Sequence, residues 1–188
     1  AHNGEFYDFQ RIRADLTAQG VRFRTKSDSE ILLRLYQRQG LEATLPLLRG
    51  EFAFALFDAE DDCLYLVRDR FGIKPQYWAM TPEGLVFGSE LKVLFAHPAV
   101  ERRFTSEGLF HQLMQTMVPG TTAFAGVHQV QPGHVLKVQR TGDRLELSES
   151  TYWDIDFPRL DQRDSTLTEA DHIANVRAAL LELSLIHI

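Results

Sequence analysis

The chain has 188 residues, 44% hydrophobic and 24% charged, with a formal net charge of −6. That is an ordinary globular composition, long enough for one domain, or one domain and the start of another, without disulfide staples. The acidic balance, with no basic run longer than Arg102-Arg103, argues against nucleic acid as a partner, and no apolar stretch of roughly 18 residues is present to span a membrane.

The text opens on Ala1-His2-Asn3-Gly4-Glu5, with no Met and no signal-peptide pattern. We therefore expect the chain to be cut at its N-terminus. Asp8 is placed to cap a helix with apolar positions Phe9, Ile12 and Leu16, ended by Gly20. Val21 to Thr25 alternates like a short strand. Ser27 and Glu30 have capping-box spacing before the stripe Ile31, Leu32, Leu35 and Tyr36, which runs to Gly40. A short helical segment is expected over Leu41 to Leu48, its regularity limited by Pro46.

The pattern then turns to β. Glu51 to Phe57 is apolar on both faces, so both should be covered. The acidic turn Asp58 to Asp62 leads into a returning strand from Cys63 to Arg68. Cys63 is the single cysteine, so no internal disulfide exists; it reads as a buried structural thiol in a cytoplasmic protein. Hairpins are predicted around Thr81-Pro82-Glu83-Gly84 and Thr141-Gly142-Asp143. Helices are predicted over Glu90 to Ala96 and Ser106 to Met117. Asp154 to Ser165 is polar and linker-like, and Thr168 with Asp171 caps a last helix. Helices, then hairpins, then helices imply an α+β fold with mostly antiparallel sheets.

Several chemistries lack their motifs. There is no phosphate-binding Gly-x-x-x-x-Gly-Lys-Ser/Thr loop and no Gly-x-Gly-x-x-Gly. None of the seven histidines pairs at i, i+4 to hold a metal. Three segments remain, each with two readings. Asn3-Gly4 is either a tight turn or a pair of donors aimed at a developing oxyanion. Asp28 either complements a helix dipole or receives a substrate ammonium. Arg68-Asp69-Arg70-Phe71-Gly72-Ile73-Lys74-Pro75 is either a solvated charged loop or a structured strand end.

Taken in order, Asn3-Gly4-Glu5-Phe6-Tyr7, Ser27-Asp28-Ser29-Glu30-Ile31, Gly50-Glu51-Phe52-Ala53-Phe54-Ala55, Arg68 to Pro75 and Gly88-Ser89-Glu90-Leu91-Lys92 resemble the class II glutamine amidotransferases, and within them the asparagine synthetases. The resemblance runs to about Glu182. It implies an N-terminal-nucleophile fold, a four-layer αββα sandwich of two antiparallel sheets. It implies attack on glutamine's amide by the thiolate of an N-terminal Cys whose α-amine is the base. By carry-over Asn3 and Gly4 form the oxyanion hole, and Asn3, Gly4, Glu5 and Asp28 bind L-glutamine. The ammonia would pass to a synthetase domain, where ATP and Mg2+ serve to activate aspartate; no cofactor is expected in the residues present.

The departures are specific. The nucleophilic Cys and an early Arg-containing loop are expected upstream of Ala1, and the internal Cys63 does not replace that Cys. Gln76 and Asp8 stand where the family has Leu and Asn. The synthetase's Ser-Gly-Gly-x-Asp-Ser loop is absent. The resulting division is an amidotransferase domain over 1–153 without its first strands, a linker over 154–167, the first synthetase helix over 168–182, and a tail over 183–188 that resembles adapter-derived sequence, against the alternative of an apolar helix end. The chain alone is expected to be inactive and, with sheet edges uncovered, poorly soluble. Open alternatives are a paralogue amidating another carboxylate or closing a β-lactam ring, and a non-catalytic module. The implied partners are L-glutamine and the synthetase domain, with a homodimer left open.

Overall fold

The computed structural model describes residues 1–116, 118–162 and 166–186. It falls into two compact units, Ala1–Asp154 and Ile155–Ile188. In the first unit the strands are β1 (His2–Phe6), β2 (Gly50–Asp58), β3 (Cys63–Arg68), β4 (Tyr77–Thr81), β5 (Gly84–Gly88), β6 (Val127–Gln129), β7 (His134–Thr141) and β8 (Arg144–Thr151). Its helices are α1 (Phe9–Ala18), α2 (Ser29–Thr44, two helical segments that meet at a kink where Gly40 has φ 76°), α3 (Leu91–Leu94) and α4 (Ser106–Leu113). The second unit contains α5 (Glu169–Ile186).

Two antiparallel sheets form, a five-stranded one in the order β1-β2-β3-β7-β8 and a three-stranded one in the order β5-β4-β6. The period-2 pattern explains how they stack. Phe52, Phe54 and Leu56 of β2, with Val67 and Val135, turn to one face of the larger sheet and pack on Ile12 and Leu16 of α1 and Ile31, Leu32 and Leu35 of α2. The alternate residues Leu66, Leu136 and Val138 turn the other way and meet Trp78, Leu85 and Phe87 of the second sheet. Ala79 and Val127 on that sheet's outer face pack against Leu94. The sequence of layers is helix, sheet, sheet, helix, the α+β sandwich expected. Each fully buried Phe or Leu contributes roughly 1.5–3 kcal/mol of transfer free energy.

Several elements differ from expectation. Val21 to Thr25 forms no strand. The amides of Arg24 and Thr25 go instead to the Glu30 carboxylate, at 2.8 and 2.7 Å, so no neighbouring strand is needed to satisfy them. For the same reason Ser27 and Glu30 are not a capping box. Asp28 is the N-cap, accepting from the Ser29 amide at 2.8 Å. Asp8 precedes α1 in the left-handed region, φ 57°, without a side-chain cap bond; its carboxylate faces Arg49 at 3.7 Å. Phe57, at the end of β2, is 60% exposed, so one face of that strand is only partly covered. The helix begun at Ser106 stops at Leu113; the expected end, Met117, lies outside the described residues. Leu91 to Leu94 is a single turn where seven residues of helix were expected. β6 was not foreseen.

In the second unit, Thr168 and Asp171 bond reciprocally, the Thr168 amide to the carboxylate at 2.9 Å and the Asp171 amide to the hydroxyl at 3.3 Å. That is the expected capping box. The expected linker holds one 3-10 turn, Leu160–Gln162, and residues 163–165 lie outside the described residues. The α5 backbone continues through Ile186, so part of the expected tail is helical; its last two residues, His187 and Ile188, lie outside the described residues. Among the described residues no helix is long and apolar enough to cross a membrane.

Candidate active site

Asn3, Gly4 and Glu5 do not make a tight turn. They form the middle of β1, the edge strand of the larger sheet, and all three are exposed. Their register with β2 pairs Asn3 with Ala53, Gly4 with Phe52 and Glu5 with Glu51. Gly4 has φ 124°, and a methyl group there would overlap the carbonyl oxygen of Glu51. Only glycine fits this close approach of two backbones.

The alternation of the ladder fixes where the amides point. Tyr7 donates its N–H to the Arg49 carbonyl at 2.7 Å, on the β2 side. The Phe6 amide therefore faces away from β2, where Asp28 Oδ2 accepts it at 3.0 Å. Gly4, two residues earlier, shares that orientation in the ladder. The other end of β1 is tied to the same helix, with His2 Nδ1 2.8 Å from Ser29 Oγ. The N-terminus of α2 is thus bonded to β1 on both sides of the Asn3-Gly4-Glu5 triplet. The structure brings all four expected residues to one edge.

The charges follow from the register. Glu5 and Glu51 face each other across the ladder, an unfavourable like-charge pair. Lys74 relieves one of them, with Nζ 3.3 Å from Glu51 Oε1. Among the described residues neither the Asn3 side chain nor the Glu5 carboxylate makes a hydrogen bond or ion pair. Burial and the neighbouring charges of Glu51, Glu5 and Asp69 raise the Tyr7 hydroxyl above its usual pKa. Burial lowers the His2 imidazole, against the opposing pull of Asp28; it stacks on Phe6 at 4.5 Å, and its Nε2 is buried without a partner among the described residues.

The Arg68-to-Pro75 segment is not a solvated loop. Asp69 is 0% exposed. Its carboxylate accepts the amides of Phe71 and Ile73 at 3.0 Å and of Lys74 at 2.9 Å. Arg68 takes the carbonyls, donating to Gly72 at 2.6 Å, Lys74 at 2.9 Å and Val130 at 2.9 Å. Burial lowers the guanidinium's pKa, with Asp69 opposing. Adjacent residues of opposite charge thus hold one loop by its two kinds of backbone group. That loop delivers Lys74 to Glu51 and so to the β1 edge. The Tyr152 hydroxyl closes the far side, donating to the Arg68 carbonyl at 2.8 Å; burial raises its pKa. Sequence reading missed His2, Tyr7, Glu51 and Tyr152. Glu51 was findable only through the β1–β2 register, which pairs residues 46 positions apart.

Cys63 is free and buried on β3. No group of three or more His, Cys, Asp or Glu side chains able to hold a metal ion occurs among the described residues.

Comparison with known proteins gives a consistent picture. Residues 1–153 match the glutamine amidotransferase domain family. The chain is 34% identical over 179 residues to glutamine-hydrolysing asparagine synthetase 3 of Bacillus subtilis, covering 94% of this chain and 28% of that protein. It is 38% identical over 181 residues to amidase chry2 of Gibberella zeae, covering 96% and 26%. Over 95 residues it is 43% identical to asparagine synthetase B of Escherichia coli, covering 50% and 17%. The chain therefore spans little more than a quarter of these relatives at most. Among solved structures, the glutamine phosphoribosylpyrophosphate amidotransferase of B. subtilis superposes with a TM-score of 0.58 at 21% identity, covering 85% of this chain and 30% of that one. That likeness is one of fold.

Proposed function

Since the chain belongs to the glutamine amidotransferase domain family, we propose that its β1 edge binds L-glutamine and stabilises the oxyanion formed when the amide is attacked. The observation that carries this reading is the exposed Asn3-Gly4-Glu5 triplet, bracketed by bonds from β1 to the N-terminus of α2. In this reading the Asn3 amide group and the Gly4 N–H donate to the developing O⁻, which needs fixed donors. The rigid β1–β2 contact at Gly4 supports such a role, because it leaves the backbone little freedom to move. Glu5 and Asp28 receive the substrate's α-ammonium. Glu5 is suited to that by having Glu51 opposite and no cationic partner among the described residues.

The nucleophile would be an N-terminal cysteine thiolate with its own α-amine as base. Cys63 is internal and buried, so we assign the 188-residue chain alone no glutaminase activity. Ammonia released from glutamine by the purified chain, above a blank, would refute that assignment. The parent protein is proposed to pass ammonia to a synthetase domain that amidates aspartate with ATP and Mg2+. In this reading ATP and Mg2+ bind in that synthetase domain. The similarity to an amidase favours a second reading, in which the acceptor is another carboxylate.

One experiment separates these. The full-length gene product is assayed for ATP-dependent amide formation on aspartate, with glutamine or ammonia as donor. Asn3→Ala should lower the glutamine-dependent rate by about 10²–10³ and leave the ammonia-dependent rate unchanged. A glutamine-dependent rate within a few-fold of wild type would overturn the oxyanion role. Failure with aspartate but amidation of another acid would select the second reading.

A further inference from the structure

We propose that a second site, a basic groove between the 21–25 segment and α2, binds a small molecule carrying a chain of phosphates. The groove is open, about 720 Å³, and lined by Val21, Arg22, Phe23, Arg24, Arg34, Gln37 and Arg38. Its size is that of a single small ligand.

The four arginines line one groove from two walls. Arg22 and Arg24, both exposed, come from the 21–25 segment, whose backbone bends at Arg24. Arg34 and Arg38 are one helical turn apart on α2 and share a face. The groove is built rather than incidental, and Glu30 is its keystone. That carboxylate accepts the amides of Arg24 and Thr25 and the Thr25 hydroxyl from one wall, at 2.8, 2.7 and 2.8 Å. From the other wall it accepts Arg34 Nε at 3.1 Å and a terminal nitrogen at 2.9 Å. Arg13 braces the segment from beneath, donating to the Thr25 and Ser27 carbonyls at 2.8 and 2.6 Å.

Charge is left over once the walls are locked. Among the described residues no carboxylate lines this groove, and the hollow beside it has Glu30 alone, which is consumed by the wall contacts. Among the described residues Arg22, Arg24 and Arg38 form no ion pair. In a chain with net charge −6, a cluster of unpaired guanidinium groups repels itself until an anion bridges it. Guanidinium forks match phosphate oxygens two at a time. Phe23 already carries the Arg13 guanidinium over its ring at 4.3 Å, so an aromatic base has one face fewer to stack on. The phosphate chain itself is what the groove reads.

The test is calorimetric titration of the 188-residue chain with inorganic tripolyphosphate in 50 mM NaCl. One site with a dissociation constant below about 1 mM is expected. Arg22→Ala with Arg38→Ala should weaken it at least about tenfold, as two charge-assisted contacts are lost. Both positions are exposed, so the variant should melt like the parent. Arg103→Ala with Arg144→Ala, outside the groove, should change affinity less than about twofold, since screened distant charges contribute little. No saturable binding overturns the proposal. Equal weakening by both pairs does so too, as it marks unspecific attraction. A poly-glutamate peptide that binds more tightly than tripolyphosphate also overturns it, in favour of an acidic protein partner.

Discussion

Replacing Asp69 with Asn keeps the side chain's shape and removes its charge and one acceptor. In the native chain Oδ1 accepts two amides, Phe71 and Ile73, and Oδ2 accepts one, Lys74. An asparagine oriented to keep its oxygen at the first position retains two bonds, now without charge assistance, and turns an NH2 group toward the Lys74 N–H. A hydrogen bond to a charged group is worth roughly 1.5–3 kcal/mol, and an unsatisfied buried donor costs a comparable amount. These overlap, so the expected loss is about 2–4 kcal/mol, a large fraction of a typical domain's stability. Urea unfolding followed by the fluorescence of Trp78 and Trp153 reads this directly. With a slope of about 2 kcal/mol per molar, the midpoint should fall by about 1–2 M at unchanged slope. A fall under about 0.3 M would show that the three amides find other partners, and the loop's account would be wrong. Arg68→Met with Asp69→Asn should cost less than the sum of the single changes, because both act on one loop.

Three further outcomes are expected. Backbone amides hold the folded Glu30 carboxyl down at about 2, from an ordinary 4.5. The sign follows: its stabilisation is complete above pH 4.5 and is lost as pH falls toward 2. Glu30→Gln should flatten that part of a pH series of urea midpoints; an identical acid limb in the variant would refute it. Gly4→Ala places a methyl against the Glu51 carbonyl at a positive φ, so it should cost more than about 2 kcal/mol and speed amide exchange in β1 ahead of β7. Thr105→Ala removes the cap that accepts the Gly108 amide at 2.9 Å, at about 1 kcal/mol; thermal melting checks it.

What the sequence revealed depended on how far each residue's partner lies along the chain. The β2, β3, β4, β5, β7 and β8 strands were readable because alternation and turn residues are local signals. The capping box at Thr168 was equally local. The strand expected at Val21 was wrong because its donors are satisfied by a side chain, Glu30, which mimics what a neighbouring strand would offer. Asn3-Gly4 looked like a turn because Asn-Gly favours one; the deciding partner, Glu51, is remote in sequence. Asp69 and its loop were visible as an odd cluster, yet its buried state required the fold. The ordered set of motifs located the candidate site; its charge balance, set by Glu51 and Lys74, did not show in any local window.

The two glycines that bring β1 and β2 together constrain how this sequence can drift. Gly50 mirrors Gly4, for a side chain there would meet the Glu5 carbonyl just as one at Gly4 meets that of Glu51. Neither position can compensate for a change at the other, since each obstruction is main chain rather than a trimmable side group. In a mutational library the pair should behave as two fixed points while the exposed neighbours Asn3 and Glu5 vary freely for folding. Selection on stability alone would then preserve the frame of this edge even after its chemistry had been lost.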